Sequence, residues 1–232
     1  MSSLKKYGVI GRGKTGSQVI EVLGDQVGAV FSSANPLDCT ATSGLEAIIV
    51  FIPAEALFEI LPTLVECGRP IVCGTTGFVY PPDLGRDLVR NQQTWIVGSN
   101  FSPGMNFLFA VAKLAEDNQE LLGNPEFFIH ETHHQQKRDS PSGSALTLQT
   151  LWGGVCKIKS ERKGEQVGFH ELSLSSQTER LNLQHEATSR KAFAEGAVFA
   201  ARHFLPDLKP GLHYFENLMF ERILKNSKLE RV

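Results

Sequence analysis

The apolar run Tyr7-Gly8-Val9-Ile10 passes directly into Gly11-Arg12-Gly13-Lys14-Thr15-Gly16, and a helical pattern over Ser17–Leu23 follows at once. A G-x-G-x-x-G loop between a strand and a helix leaves few choices of fold. The glycines allow a tight turn, and the helix start offers N–H groups to a pyrophosphate. We therefore expect a dinucleotide site here. The same residues also satisfy G-x-x-x-x-G-K-[ST] from Gly8 to Thr15, the phosphate loop of nucleoside triphosphatases. That alternative makes Leu4-Lys5-Lys6-Tyr7 a buried strand and needs an acid-ended strand to hold magnesium. The best candidate strand, Ile48–Ile52, ends at Pro53 without an acid, so the dinucleotide reading is preferred.

The first hundred residues repeat this strand–helix scheme. Further strands are expected at Val27–Phe31, Leu45–Ile52, Pro70–Cys73 and Trp95–Val97, with a helix over Glu55–Glu66. Alternating strands and helices imply an α/β domain, a Rossmann-like doubly wound parallel sheet. After Asn100 the character changes. Helices are expected around Phe107–Leu114, Ala145–Trp152 and Phe193–Phe204, and a strand at Phe127–His130. The Phe193/Ala197/Ala200/Ala201 face reads as core or subunit packing. Between Cys156 and Glu186, alternation at Lys157, Lys159, Glu171–Leu174 and Arg180–His185 fits strands with one wetted face. The second half is thus expected to be an α+β domain with a mixed or antiparallel open sheet.

Net charge is −2, so no basic field argues for nucleic acid. The longest apolar stretch, around Ala47–Ala56, is too short to cross a bilayer, and MSSLKK lacks the features of a signal peptide. The four cysteines (Cys39, Cys67, Cys73, Cys156) show no C-x-x-C spacing, and free thiols in a reducing cytoplasm are expected. Most NAD sites carry an acid after the second strand to grip the ribose. Here that strand ends Phe31-Ser32-Ser33. A 2′-phosphate could be met by Ser32 and Ser33 with Arg12 or Lys14, which leans towards NADPH over NADH.

The segment Glu131–Ala145, ETHHQQKRDSPSGSA, places two histidines, a lysine and a Ser-Pro-Ser-Gly turn between a strand and a helix. A proton carrier, a cation and a helix start on one loop point to an acidic small molecule that receives a proton. His130-Glu131-Thr132-His133-His134 also matches H-E-x-x-H, but that zinc motif needs a helix. On a strand four residues span roughly 13 Å, too far for two ligands of one ion. No metal is therefore expected.

Further segments join this one: Gly74-Thr75-Thr76-Gly77, Gly98-Ser99-Asn100-Phe101-Ser102-Pro103-Gly104-Met105-Asn106, Arg162-Lys163-Gly164 through Gly168-Phe169-His170, Arg190–Ala197, and Gly211-Leu212-His213-Tyr214-Phe215. In this order they resemble the dihydrodipicolinate reductase (4-hydroxy-tetrahydrodipicolinate reductase) family over nearly the whole chain. The resemblance implies an NAD(P)H-dependent reduction of a cyclic imine dicarboxylate in the diaminopimelate route to lysine, by a cytoplasmic homotetramer. It implies that Gly11–Thr15 hold the cofactor pyrophosphate, and that Gly74, Thr75, Thr76 and the loop Gly98, Ser99, Asn100, Phe101 lie near the nicotinamide. His133 matches the proton donor and Lys137 a carboxylate-binding lysine implicated in proton transfer. His134, Gly143 and Ser144 match substrate-binding positions, and Ser142 opens the same helix start. The implied domains are residues 1–100, completed by about 205–232, for the dinucleotide, and 101–204 for substrate and oligomerisation.

There are departures. The glycine loop is one residue shorter than the family's G-x-x-G-x-x-G, the stretch between the second and third strands is contracted, and Ser144 stands where threonine is common. His170, His185, His203 and His213 read as structural or surface residues. Arg190 reads as a substrate contact or a salt bridge. Two rivals stay open: a reductase of this build acting on another cyclic imine dicarboxylate, and a non-catalytic regulator that senses NAD(P)H.

Overall fold

The computed structural model describes residues 4–137, 139–153 and 156–226. The first elements are β1 (Lys6–Ile10), α1 (Lys14–Leu23), β2 (Val27–Phe31), β3 (Leu45–Val50), α2 (Ala54–Glu66), β4 (Ile71–Cys73), α3 (Leu84–Arg90) and β5 (Thr94–Val97). Then come α4 (Pro103–Asp117), β6 (Glu126–His133), α5 (Gly143–Leu151), β7 (Lys157–Arg162), β8 (Gly168–Ser175) and β9 (Arg180–Ala187). The chain finishes with α6 (Lys191–His203), β10 (Gly211–Tyr214) and α7 (Phe215–Asn226). It divides into two compact units, residues 1–101 with 190–218, and 102–189 with 219–232. The Ala-rich helix α6 thus belongs to the first unit. The division expected at residue 204 puts α6 in the second domain; its packing on α1, β3 and β4 puts it in the first unit instead. Of the tail expected to complete the nucleotide domain, residues 227–232 lie outside the described residues.

The first unit holds a six-stranded parallel sheet in the order β10-β5-β4-β3-β1-β2. Alternation decides how its faces are covered. In β3, Ile48 and Val50 join a core with Leu57 and Leu64 of α2 and Leu84 and Leu88 of α3. Ala47 and Ile49 therefore point the other way, towards the side where α6 packs, and both are buried. Strands covered on both faces explain the unbroken Ala47–Ile52 run. The short helix α3 and the last strand β10 have too little periodic sequence to stand out. β10 nevertheless completes the sheet beside β5.

The second unit carries a four-stranded sheet in the order β7-β6-β8-β9. β6 pairs parallel with β7 and antiparallel with β8, and β8 pairs antiparallel with β9, so the sheet is mixed. One face packs under α4 and α5, with Ile129, Leu172 and Leu174 against Met105, Phe109, Ala145 and Leu148. Phe127 stacks on Trp152, which seals the far end of this core.

One expectation is corrected. Cys39 and Cys67 form a disulfide with Cα atoms 4.8 Å apart, while Cys73 and Cys156 are free. The turn Thr40–Thr42 carries Cys39 back to the end of α2, where Thr63 lies, a proximity that a separation of 28 residues conceals.

Candidate active site

Two sets of candidate functional residues occur, one in each unit. In the first, the sheet order reverses at β1 and β3, so their carboxyl ends open a crevice, the place where doubly wound sheets take ligands. One row of backbone hydrogen bonds ties the loops along that edge. Gly11 N donates to Phe31 O (2.9 Å), Phe51 N to Ile10 O (2.9 Å), Gly74 N to Val50 O (2.9 Å) and Gly98 N to Cys73 O (3.2 Å). A cleft of about 260 Å³ lies there, lined by Gly13, Lys14, Thr15, Phe51, Pro53 and Gly74, with Ile52 and Thr76.

The three loop glycines have separate duties. Gly11 sits at φ +104°, and a side chain there would lie 2.2 Å from Phe51 O. A Cβ on Gly16 would meet Gly11 O at 2.0 Å, so Gly16 lets α1 close on β1. Gly13, the residue before α1, faces open space instead. No side-chain cap closes this helix start and no acid stands in its first turn. A space that only a missing Cβ keeps open, at a positively polarised helix end, fits a dinucleotide pyrophosphate. Gly13, Lys14 and Thr15 would hold it, with Gly11 and Gly16 shaping the turn.

The other expected cofactor residues are placed less uniformly. Gly74 is pressed against the Phe51 ring, and Thr75 Oγ1 donates to Ile52 O at 2.9 Å, so these two build the loop wall and Thr76 lines the cleft. Ser99 gives both its N–H (2.6 Å) and its hydroxyl (2.7 Å) to Glu216 Oε1. Phe101 is buried, stacked on Phe215 at 4.5 Å, and so acts as a floor beneath Gly98 rather than a surface contact. Asn100 follows the same loop. Arg12 is exposed beside the glycine turn. Ser32 closes a small bridge with Asn35 (N to O, 2.8 Å), which leaves Ser33 exposed at its tip.

In the second unit the site grows from β6. Glu131 and His133 are two residues apart and share the inner face of the strand. His130 lies on the other face, with Nε2 3.3 Å from Glu161 Oε2. The H-E-x-x-H residues are therefore a strand and its exit, as expected. Glu131 is fully buried and makes several contacts. It accepts from Ser142 N (3.0 Å) and from the Ser142 hydroxyl, and Arg162 Nη2 stands 3.3 Å from Oε1. His133 Nδ1 and His170 Nε2 each lie 3.6 Å from Oε2. Arg162 also donates to Asp139 O at 2.5 Å, which tethers the loop.

Ser142 caps α5, its hydroxyl accepting from Ala145 N at 3.2 Å. Such a cap stabilises a helix by about 1 kcal/mol. The Ser142 proton goes to Glu131, so the hydroxyl can only accept from His170 Nε2, 3.3 Å away. That fixes the neutral His170 ring with its proton on Nε2. Gly143 and the buried Ser144 form the first turn of α5. Lys137 Nζ pairs with Asp139 Oδ1 at 2.9 Å, and Lys137 N–H donates to His134 O at 3.1 Å. Arg138, between them, lies outside the described residues.

Electrostatics divide the cluster. Burial works to raise the Glu131 carboxyl, but the Ser142 hydrogen bonds and the neighbouring His133 outweigh it, and Glu131 is held below the usual range. Burial pushes His133 down to about 4; Glu131 opposes this, while Lys137 and Arg162 add to it. His170 falls to about 3, chiefly through burial. Both rings are therefore neutral near pH 7.

Spacing alone gives Glu131, Arg162 and Gly168 no role, and His170 reads from sequence as structural or surface. The parity of Glu131 and His133 on one strand was the available signal. A Cβ on Gly168 would reach within 3.2 Å of His133 Nε2, so a glycine makes room for that ring. No sequence spacing shows this, since the residues meet only across strands.

A doubly wound sheet with a glycine-lined cleft in one unit, and a buried acid–imidazole cluster in the other, fit the class of nicotinamide-dependent oxidoreductases. The family model "Dihydrodipicolinate reductase, C-terminus" matches residues 104–219. The 4-hydroxy-tetrahydrodipicolinate reductase of Methanocaldococcus jannaschii is 30% identical over 86% of this chain and 81% of its own. That of Bdellovibrio bacteriovorus is 34% identical over 81% of this chain and 82% of its own. The solved dipicolinate-bound dihydrodipicolinate reductase from Paenisporosarcina sp. TG-14 shares the fold, with a TM-score of 0.71 at 19% identity, covering 93% of this chain and 99% of that one. The chain belongs to the dihydrodipicolinate reductase family.

Proposed function

We propose that this chain reduces 4-hydroxy-tetrahydrodipicolinate, through the cyclic imine dihydrodipicolinate, to tetrahydrodipicolinate in the diaminopimelate route to lysine. The observation that carries this reading is the cluster on β6 and α5: a neutral imidazole, a lysine and a helix start within a chain of this family. The relatives' shared name supplies the substrate. When bound, the nicotinamide supplies a hydride to the C=N carbon.

The chain's own residues do the rest. Lys137 and the N–H groups of Gly143 and Ser144 hold the two carboxylates, with His134 beside them. Holding a dianion restores negative charge next to His133. Its depressed pKa rises towards neutrality, and the imidazolium can then protonate the substrate nitrogen. Gly11, Gly13, Lys14, Thr15 and Gly16 bind the pyrophosphate. The loops Gly74–Thr76 and Gly98–Phe101 line the nicotinamide side.

NADPH is the preferred cofactor and NADH is also accepted, because Ser32 and Ser33 end β2 without an acid and Arg12 and Lys14 are cationic neighbours in sequence. We further propose a cytoplasmic homotetramer assembled through the open face of the second sheet. Light scattering on the purified protein checks its mass. The decisive assay supplies the product of dihydrodipicolinate synthase. NADPH oxidation should require it, and turnover of NADPH without it, or none with it, would overturn the reading. The ratio of kcat/KM for the two cofactors sets their order.

A further inference from the structure

Glu131 gathers more of the second site than any residue the family resemblance pointed to. Its carboxylate contacts the helix cap Ser142, the tether Arg162, and the two imidazoles of His133 and His170. Three of these partners come from three different elements, α5, β7 and β8, while His133 shares β6. We propose that Glu131 is a positioning residue that presents His133 for proton transfer with its Nδ1 protonated, and that simultaneously sets the first turn of α5 where the substrate carboxylates bind. This deepens the reading above and rests on it for the identity of the substrate.

The tautomer follows from the contacts. A carboxylate only accepts, so the ring nitrogen facing it carries the proton. That nitrogen is His133 Nδ1, which is buried without a hydrogen bond among the described residues and lies 3.6 Å from Glu131 Oε2, the acceptor it faces. Neutral His133 therefore keeps Nε2 bare. Nε2 is the edge that passes over Gly168, where no side chain intervenes. It is the nitrogen that takes up a proton and releases it again, while Nδ1–H stays facing Glu131.

The second duty follows from Ser142, which uses both its N–H and its hydroxyl proton on Glu131. The first turn of α5 is thereby fastened to the same carboxylate that aims the acid. His170 adds a brace, donating from Nε2 to the Ser142 oxygen. The charged and titratable groups around His133 are Glu131 on its own strand, Lys137 and Asp139 on the loop, Arg162 on β7 and His170 on β8, with His185 of β9 behind His170. Arg162 balances Glu131 before substrate arrives. The acceptor group is thus preset by one buried ion pair, and not by the ligand.

Glu131→Gln tests this, because it removes the charge and keeps one of the two oxygens that accept from Ser142. Expected are a fall in kcat of about 10- to 100-fold, unchanged NADPH affinity, and a shift of the His133-dependent limb of the kcat–pH profile to lower pH. An unshifted profile with kcat near wild type would sink the proposal. A second measurement needs neither turnover nor the variant. Solid-state NMR of the protein with isotope-labelled histidine, assigned through His133→Gln, should find the neutral His133 ring protonated on Nδ1. Finding the proton on Nε2 overturns the positioning role even if Glu131→Gln does not fold. If wild-type protein shows the expected tautomer yet ignores the dihydrodipicolinate synthase product, the substrate assignment fails and the positioning role stands.

Discussion

The glycine cleft of the first unit and the acid–imidazole cluster of the second are built from different materials. The cleft is mostly backbone. Gly11, Gly13 and Gly16 act by what they lack, and the row of N–H to carbonyl bonds across β2, β1, β3, β4 and β5 holds the loops at one edge. The cluster is mostly side chain. Glu131, His133, Ser142, Arg162 and His170 converge from β6, the start of α5, β7 and β8. A backbone site tolerates changes of side chain and punishes an added Cβ. A side-chain site does the reverse, and its strength depends on charge.

The contrast can be broken most sharply at the reacting groups. His133→Ala should lower kcat by about 100- to 10,000-fold while leaving NADPH affinity nearly unchanged. Comparable losses of both would mean that the ring supports the fold and not the chemistry. Lys137→Ala should weaken binding of pyridine-2,6-dicarboxylate by about 10- to 100-fold, as loss of one charge-assisted hydrogen bond implies; calorimetric titration reads this directly.

The glycines offer a finer cut. Gly13→Ala has nothing in the fold to strike, so cofactor affinity should fall about tenfold or more at an unchanged melting temperature. Gly11→Ala forces a side chain onto φ +104° and onto Phe51 O, so the melting temperature itself should drop. If both variants melt alike, the separation of duties within the loop is wrong.

The smallest effect is a slope. His133 and His170 have folded-state pKa values below the ordinary 6.5, so between that value and about 4 the unfolded chain binds more protons than the folded one. Stability of the ligand-free protein should therefore decline as pH falls across this window, and His133→Gln should flatten part of the decline. Urea midpoints measured from pH 7 to pH 4 test the sign.

What the sequence made legible follows the same division. The strand–glycine–helix run is contiguous, so its fold and ligand class could be read from spacing. The polar segment after Phe127-Phe128-Ile129 was equally local, and its strand, loop and helix stand as expected, with β6 reaching on to His133. Three features escaped. Glu131 reads from sequence as one letter of an H-E-x-x-H pattern. His170 reads as an isolated histidine until β8 brings it against β6 in register with Glu131. The Cys39–Cys67 bond depends on a turn whose sequence, Thr40–Thr42, carries no strong signal. Each is a contact between elements, which neither periodicity nor spacing encodes.

The sheet of the first unit takes its last strand and its covering helix α6 from residues beyond 189. During synthesis the ribosome therefore releases the whole of the segment 102–189 before β10 exists. The inserted segment has all its own strands at that moment, while the amino-terminal sheet still shows a bare edge at β5 and an uncovered side of β3 and β4. For the two sheets the order of completion is thus inverted: the sheet begun first is completed last, and a chain truncated before Gly211 would carry a complete second sheet and an unfinished first one.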